Sequence, residues 1–194
     1  MRKIYFFMTL SLDGFFEGPD HDLSWHNVDD EFTEFAVELL RGADLHCYGR
    51  RVYELMESYW PNVEDDPSEP PSVVETAHLI NTTPKIVYSS TLARVDEGTH
   101  WKNVSLRRTL DIDEVRRLKA QPGKQIWVGG SQLASAFARA GLIDEYRFMI
   151  DPIVLGKGTP IFQTLGSELK LQLIDSRSFK SGNVLLTYRP AAAS

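Results

Sequence analysis

Two short segments carry residue types that can hold an anion. Gly129-Gly130-Ser131 puts two residues without a Cβ beside a hydroxyl. Where a strand runs into a helix, the first helical N–H groups lack intrahelical partners and carry partial positive charge, so a phosphate can approach them closely. The same three residues also suit a tight turn with Ser131 as helix N-cap, and spacing alone leaves both readings open. Gly49-Arg50-Arg51 is the second segment, where guanidinium groups can fork onto phosphate oxygens. Two arginines at a helix start oppose the helix dipole, which calls for an anion to offset them; the plain alternative is solvated surface charge. Neither segment fits Gly-x-Gly-x-x-Gly or Gly-x-x-x-x-Gly-Lys-Ser/Thr.

Asp29, Asp30 and Glu31 could move a proton at a pocket mouth if desolvation raised a carboxyl pKa. A dipole-complementing cap is the competing reading. Trp25 offers a flat wall for a ring, or simply packs a loop. His21, His26, His46, His78 and His100 make no His-x-x-x-His pair, and no Cys-x-x-Cys exists, so metal catalysis has little support. The single Cys47 lies in an apolar run and reads as core filler. No Gly-x-Ser-x-Gly elbow is present.

These residues need elements to place them. Residues 4–10 read as a buried strand rather than a secretory signal, because the apolar run is short and meets Ser11-Leu12-Asp13-Gly14 at once. Asp29 caps a helix with Phe32, Phe35, Ala36, Leu39 and Leu40 on one stripe, closed by Gly42. A strand at 44–48 feeds a helix that Pro61 stops, and 61–71 read as an exposed loop. A helix at 73–80 and strands at 85–88 and 104–107 follow. Next come a helix at 112–120 begun by Asp111, a strand at 125–128, a helix ending at Gly141 and a strand at 144–150. Two strands, 169–178 and 183–189, form a closing hairpin, and 190–194 should fray. Alternating strands and helices predict an α/β fold with a mixed, mainly parallel sheet covered on both faces and an antiparallel hairpin at one edge.

The 194 residues suit one domain. With Lys+Arg 21 against Asp+Glu 27 the net charge is −6, which disfavours nucleic acid and anionic membranes as partners. One cysteine agrees with a reducing, cytoplasmic setting.

Taken together the motifs resemble the dihydrofolate reductase-like fold, in the branch similar to the C-terminal reductase domain of the bifunctional riboflavin-biosynthesis deaminase-reductase. The marks are Ser11-Leu12-Asp13-Gly14, Gly18-Pro19-Asp20 with Trp25, Gly49-Arg50-Arg51-Val52-Tyr53-Glu54, Ser89-Ser90-Thr91-Leu92, Val128-Gly129-Gly130-Ser131, residues 141–145 and residues 152–158, in that order along nearly the whole chain. The resemblance implies a three-layer α/β/α domain and an NADPH-dependent reductase acting on a pterin, a ribitylamino-pyrimidine or a related carbonyl or imine. Gly49, Arg50 and Arg51 would hold one side of the pyrophosphate and Gly129, Gly130 and Ser131 the other. Arg50 or Arg51, with Ser89 or Ser90, would read the 2′-phosphate. It further implies an Asp13-Gly14 loop over the nicotinamide and a Gly129-Gly130 peptide of the kind often cis. Glu31 followed by Phe35 resembles the acid-then-phenylalanine pair on the corresponding helix of dihydrofolate reductases, which makes Glu31 the first candidate for the proton donor and Asp30 the second. Val52 departs from the pattern, standing where a threonine hydroxyl usually contacts the pyrophosphate. A homodimer is expected by the same likeness, and a non-catalytic nucleotide-binding homodimer that kept the fold is the alternative.

Overall fold

Alternation along the first strand sets up two cores. Ile4 and Phe6 pack with Val115, Leu133, Ala134 and Phe137, while Tyr5 packs with Phe35, Leu39, Tyr53 and Ile80. Successive side chains of a strand point to opposite faces, so one central strand holds a helical layer on each side. Burying each large side chain of this kind contributes about 2 kcal/mol.

The computed structural model of the protein describes residues 1–95, 101 and 103–192. Its elements are β1 (Ile4–Ser11), β2 (Phe15–Glu17), α1 (Asp30–Arg41), β3 (Ala43–Gly49), α2 (Arg50–Glu64), α3 (Pro71–Thr82), β4 (Lys85–Tyr88), β5 (Val104–Arg107), α4 (Ile112–Ala120), β6 (Gln125–Gly129), α5 (Ser131–Arg139), β7 (Glu145–Asp151), β8 (Thr159–Pro160), β9 (Leu171–Ser178) and β10 (Val184–Pro190). The main sheet has the order β5-β4-β3-β6-β1-β7-β10-β9. The first six strands in that order are parallel, and β10 and β9 add an antiparallel edge, as the alternation and the closing hairpin predict. β2 and β8 form a separate two-stranded sheet that sequence reading misses.

The two predicted aspartate caps form. Asp29 Oδ1 accepts from the Phe32 N–H at 2.8 Å, and Asp111 Oδ1 accepts from Asp113 and Glu114 N–H at 2.9 and 3.1 Å. Pro61 does not stop α2, which runs on to Glu64. The proline removes one ladder N–H, but α3 holds the far end: Asn81 Nδ2 donates to the Trp60 carbonyl at 3.2 Å and to Glu64 Oε2 at 2.6 Å, with Pro61 and Val63 buried. Only the rest of the predicted 61–71 loop is non-helical before Pro71 opens α3. Pro190 belongs to β10, while Ala193, Ser194 and His100 lie outside the described residues.

The register sets Tyr5, Trp127, His46 and Lys85 side by side across β1, β6, β3 and β4. Burial, with help from Lys85, lowers the His46 pKa to about 3, and its Nδ1 pairs with the Tyr48 hydroxyl at 2.9 Å. Burial lowers the Lys85 amine to about 7; its Nζ donates to the Thr83 carbonyl at 2.7 Å and lies 4.2 Å from the Trp101 ring centre. This row lies toward the amino end of β4, away from the junctions singled out for chemistry. Cys47 is core, its thiol pushed up to about 12 by burial. No helix among the described residues is long and apolar enough to cross a membrane.

Candidate active site

All six parallel strands present their carboxyl ends on one side, where ligands of open α/β sheets bind. β3 and β6 are neighbours, with Tyr48 opposite Gly129, so the two glycine-bearing turns lie side by side and α2 and α5 start from them. Neither helix has a side-chain cap. Gly130, not Ser131, is the N-cap of α5, and Ser131 is its first residue. The Gly129-Gly130 peptide is trans, no cis peptide occurs among the described residues, and the bend comes instead from φ +95° at Gly130. A Cβ there would stand 2.8 Å from Val52 Cγ2, and one on Gly129 2.9 Å from the Tyr48 ring. Packing alone therefore demands both glycines, and Val52, read from sequence as a lost hydroxyl, is the side chain that closes the two turns on each other.

The arginines divide. Arg50 reaches toward the loop after β4: Nη1 donates to Thr91 Oγ1 at 3.1 Å, and Nε to Glu54 Oε1 at 2.7 Å. Ser89 shapes that loop, its Oγ accepting from the Leu92 N–H at 2.9 Å, while Ser90 is exposed. Arg108, which sequence reading overlooks, braces the loop from the other side through the carbonyls of Leu92 and Ala93. Arg50, Ser89 and Ser90 are thus brought together. Arg51 turns the other way, its Nη2 3.5 Å from Glu17 Oε2.

Beyond β1 and β7 lie the predicted acids. Asp13 accepts from the Ser11 hydroxyl at 2.7 Å and from the Leu155 and Gly156 N–H groups at 3.1 and 2.8 Å, tying the loop after β1 to the loop after β7. Desolvation works to raise its pKa, but these hydrogen bonds outweigh it and hold the carboxyl below the usual range. Glu31 accepts from the Lys180 N–H at 3.0 Å and from Arg177 at 3.2 Å, and these contacts lower its pKa, the opposite of what a proton donor needs. Asp30 and Glu31 line a cavity of about 440 Å³ with Asp29, Glu34, Arg177 and Lys180. Phe35 is buried between Phe7 and Phe179, with ring centres 5.7 and 5.8 Å away, so its ring is spent on the core. Trp25 stands edge-on to His26 and donates its indole N–H to the Asp22 carbonyl at 3.1 Å.

Sequence reading misses two carboxylates. Glu17 is buried on β2 with Thr159 Oγ1 at 2.8 Å and His21 Nδ1 at 3.0 Å. Asp151, opposite Ser11 at the end of β7, is 1% exposed; Oδ2 accepts from the Asn27 N–H at 2.7 Å, and Oδ1 is buried without a partner among the described residues. Burial raises its pKa, only partly opposed by the Asn27 bond. A carboxyl whose folded pKa exceeds its unfolded one binds the proton more tightly in the fold, so stability falls as pH rises through the folded value. Asp151→Asn keeps an acceptor for Asn27 and removes that cost. Its Tm should exceed the native one by a few degrees at pH 7–8 and match it near pH 3 in thermal melts. No gain at neutral pH would mean that the carboxylate is compensated.

Residues 2–185 match the protein family described as RibD C-terminal domain. The uncharacterized protein YyaP of Bacillus subtilis (strain 168) is 34% identical over 190 residues, covering 96% of this chain and 94% of the relative. A crystal structure from Shewanella sp. PV-4, assigned provisionally to riboflavin biosynthesis, superposes with TM-score 0.73 at 26% identity over 97% of this chain and 99% of that one. The Thermotoga maritima diaminohydroxyphosphoribosylaminopyrimidine deaminase/5-amino-6-(5-phosphoribosylamino)uracil reductase, at 15% identity and TM-score 0.68, shares the fold; 98% of this chain aligns with 57% of that one. With the sheet order, the paired turns and this match over almost its whole length, the chain belongs to the RibD C-terminal domain family and has the dihydrofolate reductase-like fold of its reductases.

Proposed function

We propose that the protein is an NADPH-dependent reductase that delivers hydride to a small ring or sugar-like substrate carrying a carbonyl or imine. One observation carries the reading: two helix N-termini without side-chain caps open from adjacent strands, joined by the Val52 contact and flanked by arginines. The first-turn N–H groups of α2 and α5 would share a diphosphate between them. Arg50, beside Ser89 and Ser90 and across the loop from Arg108, would meet a 2′-phosphate. NADPH, when bound, supplies the hydride from its nicotinamide. The chain's own work is orientation and exclusion of water. Asp13 fixes the two loops beyond β1 and β7 against each other, and Asn27 closes over Asp151.

Titration with NADPH, followed by tryptophan fluorescence and by A340 in the presence of pterins and aminopyrimidine nucleosides, tests the proposal. Saturable binding and substrate-dependent oxidation are expected. Arg50→Ala should weaken NADPH by roughly tenfold or more and NADH much less, since a charged hydrogen bond contributes about 1.5–3 kcal/mol. Failure of NADPH to bind the folded chain would end the reading. Binding without turnover would favour a nucleotide-binding protein that has lost its chemistry, a reading motivated by the lowered pKa values of Asp13 and Glu31.

A further inference from the structure

The two arginines at the start of α2 already hold anions, and both anions are the protein's own. α2 has no acidic residue in its first turn and no side-chain cap, so the positive end of the helix and two guanidinium groups crowd together with nothing local to offset them. Arg50 finds Glu54 one turn along, Nε to Oε1 2.7 Å, with both side chains nearly half exposed. Arg51 finds Glu17, which comes from β2, 34 residues earlier in the chain.

This second pair is lopsided: the Glu17 side chain is 7% exposed and that of Arg51 58%. The carboxylate is the fixed member. Its Oε1 accepts from the Thr159 hydroxyl at 2.8 Å and meets His21 Nδ1 at 3.0 Å, an ionic contact when the imidazole is protonated. β8 holds the backbone beneath it, since a Cβ on Gly158 would run into the Glu17 carbonyl oxygen. The turn that brings His21 back to Glu17 passes through Asp20 and His21 at φ +57° and +64°, left-handed backbone that residues with a side chain adopt at a cost. Bonds from the Gly18 N–H to the Asp22 carbonyl at 2.8 Å and from the Asp22 N–H to the Pro19 carbonyl at 3.1 Å close that turn. The guanidinium is the free member. Its Nη2 lies 3.5 Å from Glu17 Oε2, the outer limit of a hydrogen bond, on a side chain that stands mostly in solvent.

A phosphate held by the first-turn N–H groups of α2 offers Arg51 a shorter, forked contact, stronger than the one it has. Glu17 cannot travel with it, because Thr159 and the β2–β8 pairing keep the carboxylate where it is. A carboxylate beside an incoming phosphate also repels it.

We infer that Glu17 is a positioning residue for the cofactor: it is the resident counter-ion of Arg51, and a bound diphosphate displaces it, so that the clasp between α2 and the β2–β8 sheet and an occupied anion site exclude each other. The inference rests on the reductase reading for the place of the diphosphate. By linkage, whatever the clasp contributes to the empty protein is subtracted from cofactor affinity.

The test is calorimetric titration of the full chain with inorganic pyrophosphate and with NADPH at low salt, on the native protein, Glu17→Gln, Arg51→Gln and the double variant. Glutamine keeps an acceptor for Thr159 and removes the charge. With Arg51 in place, Glu17→Gln should tighten both ligands about tenfold; in the Arg51→Gln background the gain should be only about threefold, because repulsion between Glu17 and the anion is all that is left to relieve. A carboxylate that served structure alone would not raise affinity when neutralised. Glu17→Asp, which keeps the charge, should return both affinities to near the native values. The native chain supplies a readout that needs no variant to fold: the Arg51 guanidinium nitrogen resonance should move on saturation with pyrophosphate. No gain in Glu17→Gln, equal gains with and without Arg51, a Glu17→Asp that matches Glu17→Gln, an Arg51 resonance that stays in place, or no pyrophosphate binding by any of the proteins overturns the inference, whether or not NADPH binds. The expected coupling with pyrophosphate but no binding of NADPH overturns only the reductase reading.

Discussion

Gly158→Ala is expected to cost at least about 3 kcal/mol, lowering Tm by roughly 6–12 °C for a chain of this size. A Cβ at this position would run into the carbonyl oxygen of Glu17 and lie 3.3 Å from Gly18 Cα. Both obstacles are backbone, so no rotamer change relieves them. The strands would have to part, and β8 pairs with β2 through Thr159 opposite Glu17. Separation would expose the buried Glu17 carboxylate to loss of Thr159 and His21 and detach Arg51 from it. Gly156→Ala is the control. Its φ of +72° also disfavours a side chain, but nothing lies within 4 Å, so only the backbone term of about 1 kcal/mol is expected. Urea unfolding of the two variants measures the difference directly. Equal costs would mean that β2 and β8 do not approach this closely in solution.

That small sheet also shows where the sequence stops being readable. Most of the parallel strands are legible as apolar runs bounded by glycine, proline or aspartate, β5 with its Val-Ser-Leu-Arg only as an alternation of apolar and polar residues, and the helices because Phe35, Leu39 and Leu40, or Leu133, Ala134 and Phe137, keep a period near 3.6. Phe15–Glu17 and Thr159–Pro160 have no such run; their pairing depends on an approach between segments more than 140 residues apart, which no local pattern encodes. Pro61 misleads for the same reason. Its local rule is sound, but Asn81 from the next helix overrides it. At the site, glycine and arginine mark the two turns, and only the family resemblance sets them beside each other; the reason for the glycines, contact with Val52 and Tyr48, is tertiary. Asp30 and Glu31 are visible as acids at a helix start; that Arg177 and the Lys180 N–H would hold Glu31 ionised is not. Asp151 looks from sequence like any polar residue ending a strand, and only its burial and its idle Oδ1 distinguish it.

Gly130→Ala should separate cofactor binding from folding. The new methyl meets Val52 Cγ2 at 2.8 Å on a backbone with φ +95°, and the two effects together should cost about 2–3 kcal/mol of stability, which a domain of ordinary stability survives. The greater loss should be in function. Val52 lies in the first turn of α2 and Gly130 caps α5, so the methyl acts as a wedge between the two helix starts. If those N–H groups share one diphosphate, a displacement of a few tenths of an ångström misaligns several charge-assisted hydrogen bonds at once, and NADPH affinity should fall roughly a hundredfold or more. Shortening the opposing side chain supplies the control. Val52 Cβ stands 3.8 Å from the same position, an ordinary contact, so Val52→Ala combined with Gly130→Ala removes the wedge but keeps the backbone strain. The double variant should recover most of the affinity while remaining less stable than the native chain, a coupling that calorimetric NADPH titrations and urea melts on all four proteins resolve. Native affinity in Gly130→Ala alone would place the diphosphate elsewhere, because a wedge that parts the two helix starts without consequence parts nothing the cofactor uses.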